Sequence, residues 1–212
     1  MISEDNIKVE KFFKEAINKV EITDQRMDLL KSIAKKIQET PHDSSHSIFL
    51  NFICTHNSRR SQLTQVWAYF AANYFDLTSI KAYSGGTAVT AFFRNTVKTL
   101  QSVGFIFNIV EFNHQNPKYD ISFKSGIKPL LGFSKLYDDA INSEPYFAIT
   151  TCSSADENCP FIPNAIFRFH LPFNDPKEFD NTEIADEAYL KTNRQIAAEI
   201  FILFKELKRL LG

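Results

Sequence analysis

The segment Cys54-Thr55-His56-Asn57-Ser58-Arg59-Arg60-Ser61 combines a thiol and an arginine at a spacing suited to oxyanion chemistry. It follows a continuous apolar run, SIFLNFI at 47–53, and precedes helical spacing through Leu63, Val66, Phe70 and Tyr74. A loop that runs from a buried strand into a helix aims successive backbone N–H groups at one point and adds the positive end of the helix dipole. Such a loop holds a tetrahedral oxyanion, and the same field favours the thiolate form of a cysteine at its base. Arg60 would clamp two oxyanion oxygens in a bidentate fork, which a lysine supplies less well. Ser61 is placed to donate its hydroxyl to the thiolate, and Asn57 tolerates the left-handed backbone that a cradle requires. Cys54 is therefore the candidate nucleophile, and Thr55, His56, Asn57, Ser58, Arg59, Arg60 and Ser61 are the candidate oxyanion-binding residues. A bare Cys-x5-Arg pair is a weak motif, with a buried structural cysteine as the competing reading; the position between strand and helix gives it weight.

The other two cysteines, Cys152 and Cys159, lie in CSSADENCP directly after a second apolar run, PYFAITT at 145–151. Two cysteines at this spacing without a nearby histidine leave zinc short of its four ligands. His42 and His46 are four apart but sit in the polar stretch PHDSSHS, where a solvated pair is the simpler reading, so no metal is expected. A stable disulfide is disfavoured in a reducing compartment. A redox dithiol remains, because a short polar loop can fold two thiols to bonding distance. With Cys54 as a third thiol, the three cysteines would form a relay.

The elements that must position these groups follow from composition and periodicity. The chain has 212 residues, 44% of them hydrophobic, with 24 Lys+Arg against 25 Asp+Glu. That allows one domain with a short appendage. Near-neutral charge excludes an extended footprint for nucleic acid, and no apolar run approaches the roughly 18 residues of a membrane span. The start, MISEDNIKVEKFFKE, has acids where a signal peptide would have lysines, so a cytoplasmic location is expected. Residues 1–46 predict a helical extension packed on the main body: Val9, Phe12, Phe13, Ala16, Ile17 and Val20 make one stripe, and Met27, Leu30, Ile33, Ala34 and Ile37 a second after a Thr23–Asp24 cap.

From 47 to 212 strands alternate with helices. Strand-like runs fall at 47–53, 80–84, 106–110, 145–151 and 166–170, and helical spacing at 61–75 and 94–103. KYDISF within 113–142 alternates as a further strand would. Asp180 and Glu183 read as a capping pair for a final helix with Tyr189, Ile196, Ile200, Phe204, Leu207 and Leu211 as its seam. The class expected is α/β, an open parallel sheet of four or five strands with helices on both faces. The phenylalanines read as core filler, apart from Phe161 and Phe173, which flank the outer cysteine loop and an Asn174-Asp175-Pro176 turn.

Taken together, CTHNSRRSQ (54–62), SGGT (84–87), YDIS (119–122), TCSSADENCPFIP (151–163) and FNDPKEFDNTE (173–183) resemble the thioredoxin-coupled arsenate reductases. That family shares its fold with the low-molecular-weight protein tyrosine phosphatases. The resemblance spans about residues 47–211, and the Cys-x6-Cys-Pro cluster is its specific part; residues 1–40 have no counterpart in the compact family members.

The resemblance implies that Cys54 attacks arsenate held by the 54–60 loop and Arg60, with Asp175 protonating the departing oxygen. Cys152 would then attack Cys54 and release arsenite, and Cys159 would attack Cys152, leaving a Cys152–Cys159 disulfide for thioredoxin. No cofactor is implied, and no nucleic-acid or membrane partner. The alternative is a phosphatase that hydrolyses phosphomonoesters through a phosphocysteine, and a third reading is a non-catalytic oxyanion sensor. Three positions depart from the family pattern. His56 stands where a glycine is usual, which implies loop adjustment. Arg59 stands where the family has Cys or Gly and is expected to face solvent. Lys177 stands where the phosphatases carry a tyrosine, which weakens the phosphotyrosine reading.

Overall fold

The computed structural model describes residues 4–41, 47–158 and 161–212. In chain order the elements are α1 (Glu4–Lys19), α2 (Asp24–Glu39), β1 (Ile48–Cys54), α3 (Arg60–Tyr74), β2 (Ile80–Gly86), α4 (Arg94–Ser102), β3 (Ile106–Glu111), β4 (Lys118–Ser122), β5 (Leu130–Gly132), β6 (Tyr146–Thr150), α5 (Ser153–Asn158), β7 (Ala165–His170) and α6 (Ala185–Leu211), with a 3-10 turn at Pro176–Phe179. The polar stretch with His42 and His46, and Cys159 itself, lie outside the described residues. No helix among the described residues is long and apolar enough to cross a membrane.

Four strands form an all-parallel sheet in the order β2-β1-β6-β7. The chain is therefore of the expected α/β class, with four strands in the main sheet. Being central, β1 is buried along almost its whole length, as its unbroken apolar run requires. Its alternation divides two cores. Ile48, Leu50 and Phe52 join the large core under α1, α2, α3, α4 and α6. Ile53 and Cys54 join a smaller one with Tyr146, Ala148, Cys152 and Ala155 of α5. The long helices crowd one face, while the other is covered by the short α5 and irregular chain.

The run at 106–110 forms a strand but does not enter the main sheet. β3 pairs antiparallel with β4, and β4 with β5, in a separate sheet of three strands. An antiparallel hairpin needs only a short connection, whereas a parallel partner needs a crossover. Most of β3 is exposed, with Ile109 at 56%. The capping pair also differs. α6 begins at Ala185 with Ile184 as its cap and no side-chain capping bond, because Asp180 is engaged elsewhere.

The N-terminal helices belong to the large core. Phe13 of α1 is fully buried, stacked 5.4 Å from Trp67, with edge contacts to Phe70, Tyr74 and Phe75 and a tilted contact to Phe201. Trp67 Nε1 donates to Asn193 Oδ1 at 2.7 Å, so the indole is satisfied as well as packed.

Candidate active site

Cys54 closes β1, and α3 begins at Arg60, so residues 55–59 form the loop between strand and helix. Six consecutive carbonyls of this stretch are tied to the scaffold. Cys54 O accepts from Thr87 N (3.3 Å), Thr55 O from Ala88 N (2.8 Å) and His56 O from Ser134 Oγ and Thr90 Oγ1 (both 3.0 Å). Asn57 O accepts from Gln62 Nε2 (3.1 Å), Ser58 O from Phe93 N (3.1 Å) and Arg59 O from Leu63 N (2.9 Å). A trans peptide points its N–H opposite to its C=O. The N–H groups of residues 55–60 therefore face away from these scaffold contacts, which is the arrangement of an anion cradle.

One left-handed residue permits the turn: Asn57, with φ of 46°. His56 is not left-handed, so the side chain at the usual glycine site is accommodated by exposure and no backbone strain arises there. Gly86 closes on the loop from β2, and a Cβ there would lie 2.8 Å from Asn57 N and 2.9 Å from Thr55 O. That close approach is what the glycine supplies.

The surroundings of the Cys54 sulfur are polar and specific. Cys54 Sγ lies 3.0 Å from Ser61 Oγ, and Asn57 Nδ2 donates to the same oxygen at 2.9 Å. With Asn57 already donating to it, the Ser61 hydroxyl is free to direct its own proton at the sulfur. Asn57 Oδ1 accepts from Gln62 Nε2 (3.1 Å) and Lys135 N (2.9 Å). Lys135 is buried with no acceptor for Nζ among the described residues, and its ammonium lies 5.0 Å over the Phe133 ring. Burial lowers its pKa to about 8, with Asp139 opposing the shift.

Arg60 and Asp175 meet across the mouth of the loop. Arg60 donates to Asp175 Oδ2 at 2.6 Å and to Phe173 O at 3.2 Å. Asp175 Oδ1 accepts from Lys177 N at 3.1 Å and so opens the 3-10 turn.

Arg59 does not face solvent. Its Nε donates to Tyr189 OH at 2.6 Å, its second arm pairs with Asp180, and the guanidinium stacks 3.9 Å from the Phe93 ring. Tyr189 OH in turn donates to Asp180 Oδ1 at 2.6 Å, which closes a three-membered ring. Burial opposes the arginine's charge, but Tyr189 and the nearby carboxylates of Asp180 and Asp175 more than offset it. Burial and the Asp180 bond push the Tyr189 phenol well above its ordinary range. Two of its side-chain nitrogens are thus engaged by Tyr189 and Asp180, which fastens Arg59 to the start of the final helix and the turn before it.

Cys152 lies one strand away. β6 follows β1 in register with Ile53 opposite Thr150, and Thr151 donates to Ile53 O from both N (2.7 Å) and Oγ1 (3.1 Å). Thr55 Oγ1 is 3.6 Å from Cys152 Sγ, and the sulfur accepts from Ala155 N at 3.4 Å in the first turn of α5. Cys54 and Cys152 are both buried free thiols. α5 is fastened through Asp156, whose Oδ1 accepts from Thr150 Oγ1 (2.8 Å), pairs with Arg168 and lies 3.3 Å from His170 Nδ1. Phe173 is buried beside the Asp175 turn, whereas Phe161 is 78% exposed.

Gln62, Gly86, Thr90, Phe93, Ser134 and Lys135 complete the loop's scaffold without having been singled out from the sequence. Only Gln62 and Gly86 carry a signal, as members of the quoted segments CTHNSRRSQ and SGGT.

A strand–loop–helix turn with a cysteine at its base, at the carboxyl edge of a four-stranded parallel sheet, is the arrangement expected of a cysteine-dependent oxyanion-binding protein. No family model matches the chain. The arsenate reductase of Bacillus subtilis (strain 168) is 28% identical over 145 residues, 68% of this chain and 84% of that protein. The arsenate reductase of Bacillus licheniformis is 28% identical over 155 residues, 73% of this chain and 93% of its own. Among solved structures, a low-molecular-weight protein tyrosine phosphatase from T. tengcongensis superposes with a TM-score of 0.51 at 17% identity, covering 76% of this chain and 100% of its own. One from Vibrio cholerae O395 gives 0.50 at 12%, covering 78% and 99%. The chain is thus similar in sequence to arsenate reductases and shares the fold of the low-molecular-weight protein tyrosine phosphatases.

Proposed function

We propose that this enzyme reduces arsenate to arsenite through thiol–disulfide exchange among Cys54, Cys152 and Cys159. The observation that carries the reading is the second buried thiol, Cys152, at the end of the strand next to the nucleophile's own and in contact with Thr55 of its loop. Hydrolysis of a phosphate ester requires only Cys54, whereas a two-electron reduction requires a partner thiol. The arsenate reductases of the two Bacillus species support the same reading.

In this mechanism the N–H groups of residues 55–60 and Arg60 hold the arsenate, with Ser61 donating to the Cys54 thiolate. Cys54 sulfur bonds to arsenic(V), an As–O bond breaks, and Asp175 protonates the departing oxygen, which leaves as water. Cys152 thiolate attacks Cys54 sulfur; an S–S bond forms, the S–As bond breaks, and its electron pair leaves with arsenic as arsenite. Cys159 thiolate then attacks Cys152, frees Cys54, and leaves a disulfide that a dithiol protein of the thioredoxin class reduces.

NADPH consumption in the presence of arsenate, thioredoxin and thioredoxin reductase tests the reading. Wild type is expected to consume NADPH, and Cys54→Ser, Cys152→Ser and Cys159→Ser are each expected to abolish it. Full turnover in either outer-cysteine variant removes the relay. Efficient aryl-phosphate hydrolysis that survives loss of both outer cysteines, without arsenate-dependent NADPH use, establishes the phosphatase reading instead.

A further inference from the structure

The segment that delivers Asp175 is held by an arginine from outside the catalytic fold. Arg26 lies in the first turn of α2, where its own N–H donates to the Thr23 cap at 3.3 Å. Its guanidinium donates to Pro172 O at 2.7 Å and lies 5.1 Å over the Phe173 ring. The Nε arm donates to Glu199 Oε2 at 2.7 Å. Glu199 on α6 is fully buried, and Gln195 Nε2 donates to its other oxygen at 3.2 Å. Burial raises the carboxyl's pKa, with Arg26 opposing that shift.

Two consecutive carbonyls are thus gripped by two guanidinium groups of different origin. Pro172 O is held by Arg26 of the N-terminal helical pair, and Phe173 O by Arg60 of the anion loop. Phe173 N donates to Thr151 O at 3.2 Å, beside Cys152. Proline at 172 has no N–H to contribute, so the carbonyl bond and the Phe173 ring are what Arg26 uses to fix this stretch. Asp175 follows three residues after Pro172 and two after Phe173, which leaves little chain over which its position can drift. An acid must lie within hydrogen-bond reach of the oxygen it protonates. The same stretch could not be set this way by residues 47–212 alone.

We infer that Arg26 is a positioning residue for proton delivery by Asp175, and that the N-terminal helices take part in catalysis by supplying it. The inference rests on the assignment of Asp175 as the general acid.

The test compares full-length wild type, Arg26→Met, Arg26→Lys, Arg26→Met/Glu199→Met and Asp175→Asn. Each is mixed with inorganic arsenate, and the loss of two free thiols per chain is followed by quenched alkylation across pH, together with the thermal midpoint. Arg26→Met is expected to lower the maximal rate about tenfold, as misplacement of a reacting group does, with the half-saturating arsenate concentration unchanged. Its pH–rate profile should flatten toward that of Asp175→Asn, and Arg26→Lys should recover part of the rate. The double variant removes the buried carboxylate that Arg26→Met leaves unpaired, so it should regain thermal stability without regaining rate. Recovery of both in the double variant overturns the inference, since Arg26 would then serve only to neutralise Glu199. An unchanged rate in Arg26→Met overturns it as well. If Asp175→Asn matches wild type at every pH, or wild type loses no thiol to arsenate, the underlying assignment fails, and the role of Arg26 fails with it.

Discussion

Arg60 and Asp175 form an ion pair at 2.6 Å, so the proposed clamp for the oxyanion and the proposed acid for its departing oxygen touch each other directly. The two roles make opposite demands on one contact. An oxyanion engages Arg60 more strongly when the carboxylate does not share the guanidinium, whereas turnover requires the carboxyl group to be present.

Asp175→Asn should therefore separate binding from chemistry. Inhibition by inorganic phosphate is expected to tighten several-fold, because Arg60 loses its competing anion. The maximal rate of arsenate reduction should fall by roughly 10²–10⁴, the range of a lost general acid. Measuring the phosphate inhibition constant and the maximal rate in the same variant checks both, and weakened phosphate binding contradicts the assignment.

Gly86 offers a test of the cradle that touches no chemical group. A methyl at this position meets the backbone at Asn57 N, Thr55 O and Ala88 O, all within 3 Å, so the loop must shift and not merely a side chain. Gly86→Ala is expected to weaken phosphate binding at least tenfold while the protein still folds. Calorimetric titration with phosphate, set beside a thermal melt, makes the distinction.

Lys135 carries a prediction about pH. Its pKa falls from 10.5 to about 8 on folding, so between those values the unfolded chain binds more protons than the native one. Stability then rises with pH through that window. Below pH 8 the buried ammonium costs about 3 kcal/mol, at 1.36 kcal/mol per pKa unit. Lys135→Met should accordingly be more stable than wild type at pH 7, and the gap should close by pH 10.5. Urea denaturation at pH 7, 9 and 10.5 measures it; a gap that does not change with pH contradicts the burial argument.

Phe13 tests how firmly the N-terminal helices are built into the core. Its ring meets five aromatic neighbours from α3, α6 and the residue after α3. Phe13→Ala should cost about 3–5 kcal/mol in equilibrium unfolding, the range for a buried aromatic truncation. A loss below 1 kcal/mol would mean that α1 is an appendage.

The strand, loop and helix around Cys54 were legible because each rests on local residue types: an unbroken apolar run, helical spacing after Ser61, and Asn57 at the left-handed position. Arg59 was not legible. Its partners Asp180 and Tyr189 lie 121 and 130 residues away, and no local pattern reports a contact of that separation. Asp180 misled for the same reason, since a cap-like residue ahead of a helix looks the same whether it caps or pairs. β3 was recognisable as a strand, but an apolar run does not say which sheet it will join. Arg26 bears no motif at all, and its place on Pro172 follows only from how α2 packs against α6.

The outward-facing carbonyls of residues 54–59 carry a consequence for selectivity. A cradle of fixed N–H groups senses the size and charge of a tetrahedral anion and is blind to the atom at its centre. Phosphate and arsenate should accordingly compete for it on nearly equal terms, and phosphate in the cell would occupy it much of the time. Discrimination then falls to the step after binding. An arsenic–sulfur bond yields to a neighbouring thiol, whereas a phosphorus–sulfur bond yields to water. The threonine contact that brings the Cys152 sulfur up to the nucleophile's loop would thus sort the two anions by reactivity, after a binding step that cannot tell them apart.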